Sequence, residues 1–185
     1  ADCVKIGVRE IMKDAPPDLI VSGLNQGQNV ATNIIYSGTV SAATEGVILK
    51  LPSVALSLAS FVSRDFATAA WIGASIVESV QKNSLPPRTL LNVNIPAVSK
   101  DKIKGIKVCR MGDSSFIECF DKRLDLRMQE YFWQGGKMNL VDEDADINYL
   151  RDNYVTVTPV HIDLTNHQFL PTLSKWDFNL KLNEV

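Results

Sequence analysis

Asn25 and Asn29 stand in SGLNQGQN, residues 22–29, with Gly27 between them. Their amide oxygens are hard, neutral donors of the kind that Mg²⁺, Mn²⁺ or Ca²⁺ accepts. Gly23 and Gly27 allow a backbone to come close to a ligand. The same residue types also build ordinary turns, because asparagine and glycine tolerate left-handed backbone. Downstream, YSGTVSAATEG (residues 36–46) puts Ser37, Gly38 and Thr39 where a helical pattern begins. A helix N-terminus presents free N–H groups and the positive end of the dipole, which suits phosphate. Ser37 serves equally as a plain N-cap, and capping is compatible with anion binding. What this constellation lacks is charge. Two neutral amides do not draw a divalent ion from its water shell. Glu45 lies a turn or more into the helix, and Asp18 sits at the far end of the preceding strand. The residues therefore call for further ligands from another segment or another chain.

The elements that position these residues follow from periodicity. Cys3 to Met12 has apolar side chains at helical spacing, and Pro16 and Pro17 stop it. Asp18 to Gly23 is a short apolar run that reads as a strand buried on both faces, as in parallel sheets. Gly38 to Leu49 reads as a helix, Pro52 to Leu58 as a strand, Phe66 to Val80 as a helix, and Thr89 to Pro96 as a strand. That alternation implies an α/β fold with a mostly parallel sheet covered on both faces. Residues 1–100 form its core portion, and residues 101–185 hold an arm, a returning strand and a tail of one domain.

In that second part, Ile103 to Gly112 is strand-like. Ser114 to Gly136 reads as a β-hairpin arm, and Lys107 to Gly136 is expected to include an extended arm, rich in Phe116, Phe120, Tyr131, Phe132 and Trp133, that packs on another subunit. Arg110, Lys122, Arg123 and Arg127 pair there with Glu118, Asp121 and Asp125. MNLVDEDADIN reads as an acidic loop, Tyr154 to Thr165 as a strand, and the tail as ending in a short helix.

The bulk numbers exclude more than they assign. A net charge of −2 over 185 residues gives no reason to expect nucleic acid or an anionic membrane as partner. Three cysteines without a paired spacing fit a reducing, cytoplasmic compartment better than a disulfide framework. No apolar run is long enough to span a bilayer. His161 and His167 have no nucleophile motif beside them and read as structural or surface residues.

PDLIVSGLNQGQN, IYSGTVSAATEG and LPSVALSL, followed by LLNVNIP, RLDLR…YFWQGG and YVTVTPVHIDLT, resemble the SurE family from Ala1 through Thr165. The pairing of SG[IL]NxGxN with YSGTVxAAxEG is far more specific than either fragment. The resemblance implies a Rossmann-like three-layer sandwich whose C-terminal arm and tail are exchanged between subunits of a homodimer or homotetramer. It implies a metal-dependent phosphomonoesterase acting on nucleoside 5′(3′)-monophosphates with Mg²⁺ or Mn²⁺. Asn25 matches the family's metal-ligand asparagine, Asn29 a residue near the substrate phosphate, and Ser37, Gly38 and Thr39 the phosphate-binding turn. The family's aspartate pair belongs to an Asn-Asp-Asp-Gly motif upstream of the matched region. The chain thus resembles a family member without its first segment, and no catalytic residue is expected within it. Leu126 and Met128 depart from the usual proline and glycine around Arg127, and Asn153 replaces a glycine. The competing expectation is a non-catalytic anion-binding or oligomerisation module.

Overall fold

The computed structural model describes residues 1–139 and 142–178, with the side chains of Ser115, Phe116 and Met138 outside the description. Its first strands are β1 (Ile20–Gln26), β2 (Ser53–Ala59) and β3 (Thr89–Pro96). The later ones are β4 (Ile106–Val108), β5 (Ser115–Leu124), β6 (Glu130–Asn139) and β7 (Val155–His161). Five of them form one sheet in the order β1-β2-β3-β7-β4. All its pairings are parallel except β3 with β7.

The helices cover this sheet on both faces, as the alternation of elements requires. α1 (Asp2–Ile6) continues into a π-helical turn over Gly7–Ile11. α2 (Gly38–Ile48) buries Val40, Ala43 and Val47 against Ala55 of β2 and Leu90 of β3. On the opposite face, α3 (Ala67–Asn83) sets Ala69, Ile72, Ile76 and Val80 against Val54, Leu56, Leu58, Val93 and Ile95. Each such aliphatic side chain contributes about 1.5–3 kcal/mol on full burial. β2, covered on both faces, is buried along nearly its whole length. β1 is different from its sequence reading. It is an edge strand among the described residues and alternates between half-buried and exposed, with Val21 at 47 %. Its apolar run is therefore not buried on both faces here. Gly46 brings α2 close to β1, since a Cβ there would lie 2.8 Å from Ile20 Cγ1.

The hairpin runs from Ser115 to Asn139, and the strand-like segment before it supplies β4 of the main sheet, both close to the sequence reading. Two further expectations shift. The acidic stretch is not a loop throughout: it turns into α4 (Asp146–Arg151), since Ile147 and Leu150 are spaced to pack together on Val30 and Ala59. Arg110 does not join the hairpin charges. It ion-pairs with Asp142 at 2.6 Å and Asp144 at 3.0 Å, while Lys122 pairs with Glu130 and Arg123 with Asp121. Among the described residues, β5 and β6 pair only with each other. Phe120, Phe132 and Trp133 are 61 %, 63 % and 58 % exposed, so the described residues of one copy leave this face uncovered. Asp125 closes the hairpin turn by accepting the Arg127 and Gln129 N–H groups, with Met128 at φ +61°. Asn153 likewise adopts a positive φ of 66°. The tail forms α5 (Leu170–Leu173), beside which Phe169 and Trp176 stack edge to face.

Candidate functional site

β1 runs past Gly23, where its sequence suggests an end, and carries Asn25 into the sheet. A register shift between Ser22 and Asn25 sets Asn25 opposite Ser57 of β2. Ser57 in turn faces Asn94 of β3, and Asn94 faces Thr156 of β7. Directly paired residues share one face of a sheet. The result is a polar row across four strands at the carboxyl end of the parallel core, where ligands of open α/β sheets collect.

Asn25 and Asn29 come together in this row. Asn25 Oδ1 accepts from Ser57 Oγ at 2.8 Å and from Asn29 Nδ2 at 3.1 Å. Asn29 Nδ2 also donates to Ser57 Oγ at 2.8 Å, which closes a triangle. Asn25 Nδ2 donates to the Gly27 carbonyl at 2.7 Å, and Gly27 takes a φ of +106° to make that turn. The main chain of Asn29 is held as firmly. Its N–H donates to Asn94 Oδ1 at 2.7 Å. Its carbonyl accepts from Asn92 Nδ2 at 2.8 Å and Asn94 Nδ2 at 3.0 Å. Two residues on, the Ala31 N–H donates to Asp146 Oδ2 at 2.9 Å, and Thr32 Oγ1 donates to the Ser114 carbonyl at 3.2 Å.

Asp146 is fully buried and also accepts the Gly112 and Ile147 N–H groups. Burial pushes its carboxyl above the ordinary range, and the three N–H donors partly offset that. Nearby, hydrogen bonding from Arg110 holds Asp142 below the ordinary range. Burial raises the Cys109 thiol, whose Sγ lies 3.7 Å from Thr158 Oγ1.

After a 3-10 turn over Ala31–Tyr36, Ser37 caps α2 by accepting the Val40 N–H on its Oγ at 3.1 Å. The N–H groups of Gly38 and Thr39 lie in the first turn, where no earlier carbonyl of the helix exists to accept them. A side chain at Gly38 would project into open space, so this end of α2 is unobstructed. α2 follows β1, and its N-terminus therefore faces the same carboxyl end of the sheet as Asn25 and Asn29. An open groove of about 460 Å³ lies past the carboxyl ends of β2 and β3, lined by Gln28, Ala59, Pro96, Ile147 and Arg151; Ser37, Gly38 and Thr39 do not line it.

Other candidates lie away from this end. Glu45 is buried with its carboxylate 3.7 Å from Lys5 Nζ. His161 pairs in register with Thr89, the first residue of β3, at the opposite end of the sheet. His167 Nε2 lies 2.9 Å from Asp163, whose carboxyl is held well below the ordinary range by Thr165 and His167. The residues that sequence reasoning missed are Ser57, Asn92, Asn94 and Asp146. The signal for two of them was present: Asn92 and Asn94 alternate in TLLNVNIP, putting two amides on one face of an otherwise apolar strand.

A divalent ion does not fit the described residues by themselves. The row offers neutral oxygens only, and the Asn25 Oδ1 already accepts two hydrogen bonds. Among the described residues, no group of three or more His, Cys, Asp or Glu is arranged to hold a metal. Nor, among them, is any helix long and apolar enough to cross a membrane.

Comparison with known proteins agrees with the motif reading. The family described as survival protein SurE matches residues 1–118. A protein named 5′-nucleotidase SurE from Syntrophobacter fumaroxidans is 45% identical over 179 residues, covering 96% of this chain and 71% of that protein. The protein of the same name from Pelotomaculum thermopropionicum is 46% identical over 178 residues, covering 95% and 67% respectively. The crystal structure of the SurE protein from Aquifex aeolicus superposes with a TM-score of 0.81 at 38% identity, covering 94% of this chain and 71% of that one. With both motifs in place on the matching fold, the chain belongs to the SurE family.

Proposed function

We propose that this chain carries the phosphate-binding side of a SurE-type 5′-nucleotidase, a phosphoric monoester hydrolase acting on nucleoside 5′(3′)-monophosphates. The observation that carries this reading is the unobstructed N-terminus of α2, capped by Ser37 and set at the same sheet end as the Asn25–Asn29–Ser57 triangle. The N–H groups of Gly38 and Thr39 and the Thr39 hydroxyl donate to phosphate oxygens, and the dipole end favours their charge. An anion drawn to Asn29 takes one of the two Nδ2–H groups now given to Asn25 and Ser57. In hydrolysis a water oxygen bonds to phosphorus, the ester P–O bond breaks, and the nucleoside oxygen leaves with a proton from that water. Donors already aimed at the phosphoryl oxygens stabilise the charge that builds there.

Dependence on Mg²⁺ or Mn²⁺ belongs to the same reading, with Asn25 as one neutral donor. The described residues bring no cluster of carboxylates to complete such a ligand set. Assembly as a homodimer or homotetramer through the hairpin arm and tail, in the cytoplasm, completes the proposal. A second reading, an anion-binding or oligomerisation module without turnover, is favoured by the wholly neutral donor row. The test is binding of AMP and of adenosine to the wild type and to Thr39→Val. Losing one donor to a charged partner weakens binding by roughly 1.5–3 kcal/mol, about ten- to over a hundredfold. AMP binding that matches adenosine binding, or that ignores the Thr39 change, would place the phosphate elsewhere. Turnover of AMP with Mg²⁺ or Mn²⁺ by the protein carrying all its ligands separates the enzyme from the module.

A further inference from the structure

We infer that Asn94 is a positioning residue for this site: its side-chain amide fixes the main chain of Asn29 and so aims the Asn29 side chain at Asn25 and Ser57. The inference rests on the reading above that this end of the sheet takes a nucleoside monophosphate.

Asn94 has no exposed surface and stands in β3 between Val93 and Ile95, which are equally buried. A buried polar side chain is costly unless its hydrogen bonds are made. Asn94 makes both kinds with one residue, accepting the Asn29 N–H at 2.7 Å and donating to the Asn29 carbonyl at 3.0 Å. Those two bonds set where Asn29 sits and how it is turned. The Asn29 Nδ2 then reaches Ser57 at 2.8 Å, on the strand next to that of Asn94. The chain between β1 and α2 is thus seated on the sheet through Asn94, not left to find its own conformation.

Asn92 supplies a matched control. It is the same residue type on the same strand face and is equally buried. Yet, among the described residues, it donates only to the Asn29 carbonyl, which Asn94 also serves, and its Oδ1 has no partner. A purely structural role for buried amides in β3 predicts similar consequences for either residue. A positioning role predicts that only Asn94 controls the Asn29 N–H.

The experiment is amide hydrogen exchange by NMR on the 185-residue chain, with AMP binding measured in parallel, for the wild type, Asn94→Leu and Asn92→Leu. In the wild type, the Asn29 amide is expected to exchange slowly for a loop position. Asn94→Leu is expected to speed exchange at Asn29 by about tenfold or more and to weaken AMP binding by a similar factor. Asn92→Leu leaves the Asn29 amide protected and weakens AMP binding by clearly less than Asn94→Leu does, the carbonyl keeping its second donor. Equal effects of the two substitutions overturn the inference, as does AMP binding unchanged while Asn29 opens. If Asn94→Leu does not fold, the wild type still decides, since open-loop exchange at Asn29 overturns it alone. A protected Asn29 in a wild type that binds no AMP overturns the nucleotide reading, and the substrate-positioning role falls with it. AMP binding with an unprotected Asn29 overturns the role of Asn94 only.

Discussion

Removing the Asp146 carboxylate will cost this fold more than removing any exposed charge. Asp146 is wholly buried, and three main-chain N–H groups converge on it, from Ala31 at 2.9 Å, Gly112 at 3.1 Å and Ile147 at 2.8 Å. They come from the site loop, the segment before β5, and α4 itself, so one side chain ties three pieces together. In Asp146→Ala all three donors lose their acceptor inside the protein. Each unsatisfied buried donor costs about 1–3 kcal/mol, and with some water entering the space we expect a total of about 3–5 kcal/mol. Against a typical domain stability of about 5–15 kcal/mol, that is a large share. Asp146→Asn keeps one acceptor oxygen and turns an NH₂ toward a donor, which costs about 1–3 kcal/mol. With a urea slope of about 1–3 kcal/mol per molar, the Asp146→Ala midpoint falls by about 2 M. The pH trend adds a second signature. Burial raises the Asp146 carboxyl in the folded chain, so folding favours its protonated form. That contribution is complete below the unfolded pKa of about 3.9 and fades as pH rises through the folded value. The advantage of wild type over Asp146→Asn is therefore greatest in acid and shrinks toward neutrality. Urea titrations at several pH values test both points. An Asp146→Ala variant within about 1 kcal/mol of wild type would refute the claim that these three donors depend on this carboxylate.

Other predictions follow from single contacts. Thr156 is fully buried and its Oγ1 has no hydrogen-bond partner among the described residues, so Thr156→Val should be neutral or stabilising by up to about 1 kcal/mol; clear destabilisation in urea would reveal a buried water held there. Gly46→Ala forces a Cβ toward Ile20 and Ser53, with an overpacking cost of about 1–3 kcal/mol in the same assay. Asp142, held low by Arg110, works in the opposite sense to Asp146: its contribution is present above the unfolded carboxylate pKa and is lost as pH falls through the folded value, a trend that Arg110→Gln should flatten. Sedimentation should show a closed two-fold assembly at micromolar concentration that covers the exposed hairpin aromatics, and a strict monomer would remove that part of the proposal. The 185-residue chain by itself should release no phosphate from AMP with Mg²⁺ or Mn²⁺, because its described site residues supply only neutral oxygens.

The sheet core was legible because β2 and β3 are short apolar runs bounded by turn residues, and α2 and α3 carry their apolar residues at helical spacing. β1 misled for the same reason. Asp18 to Gly23 is as apolar as a doubly covered strand, and its edge position among the described residues depends on partners that its own composition does not encode. Asn25 and Asn29 were visible as a pair, but their meeting depends on a register shift and on Ser57, one small polar residue in an apolar strand. Asp146 was hidden in an acidic stretch that looked solvated. Its burial follows from α4 packing on Val30 and Ala59, a tertiary contact with no local signature.

The central claim is that the N-terminus of α2 binds the phosphate of a nucleoside monophosphate. The most direct measurement is an ¹H–¹⁵N NMR titration of the chain with AMP and, separately, with adenosine. The account predicts that AMP, and not adenosine, moves the amides of Gly38 and Thr39 most, with Asn29 beside them. Saturating AMP that leaves Gly38 and Thr39 unmoved, or shifts concentrated at the opposite end of the sheet around Lys50 and Arg88, would contradict it.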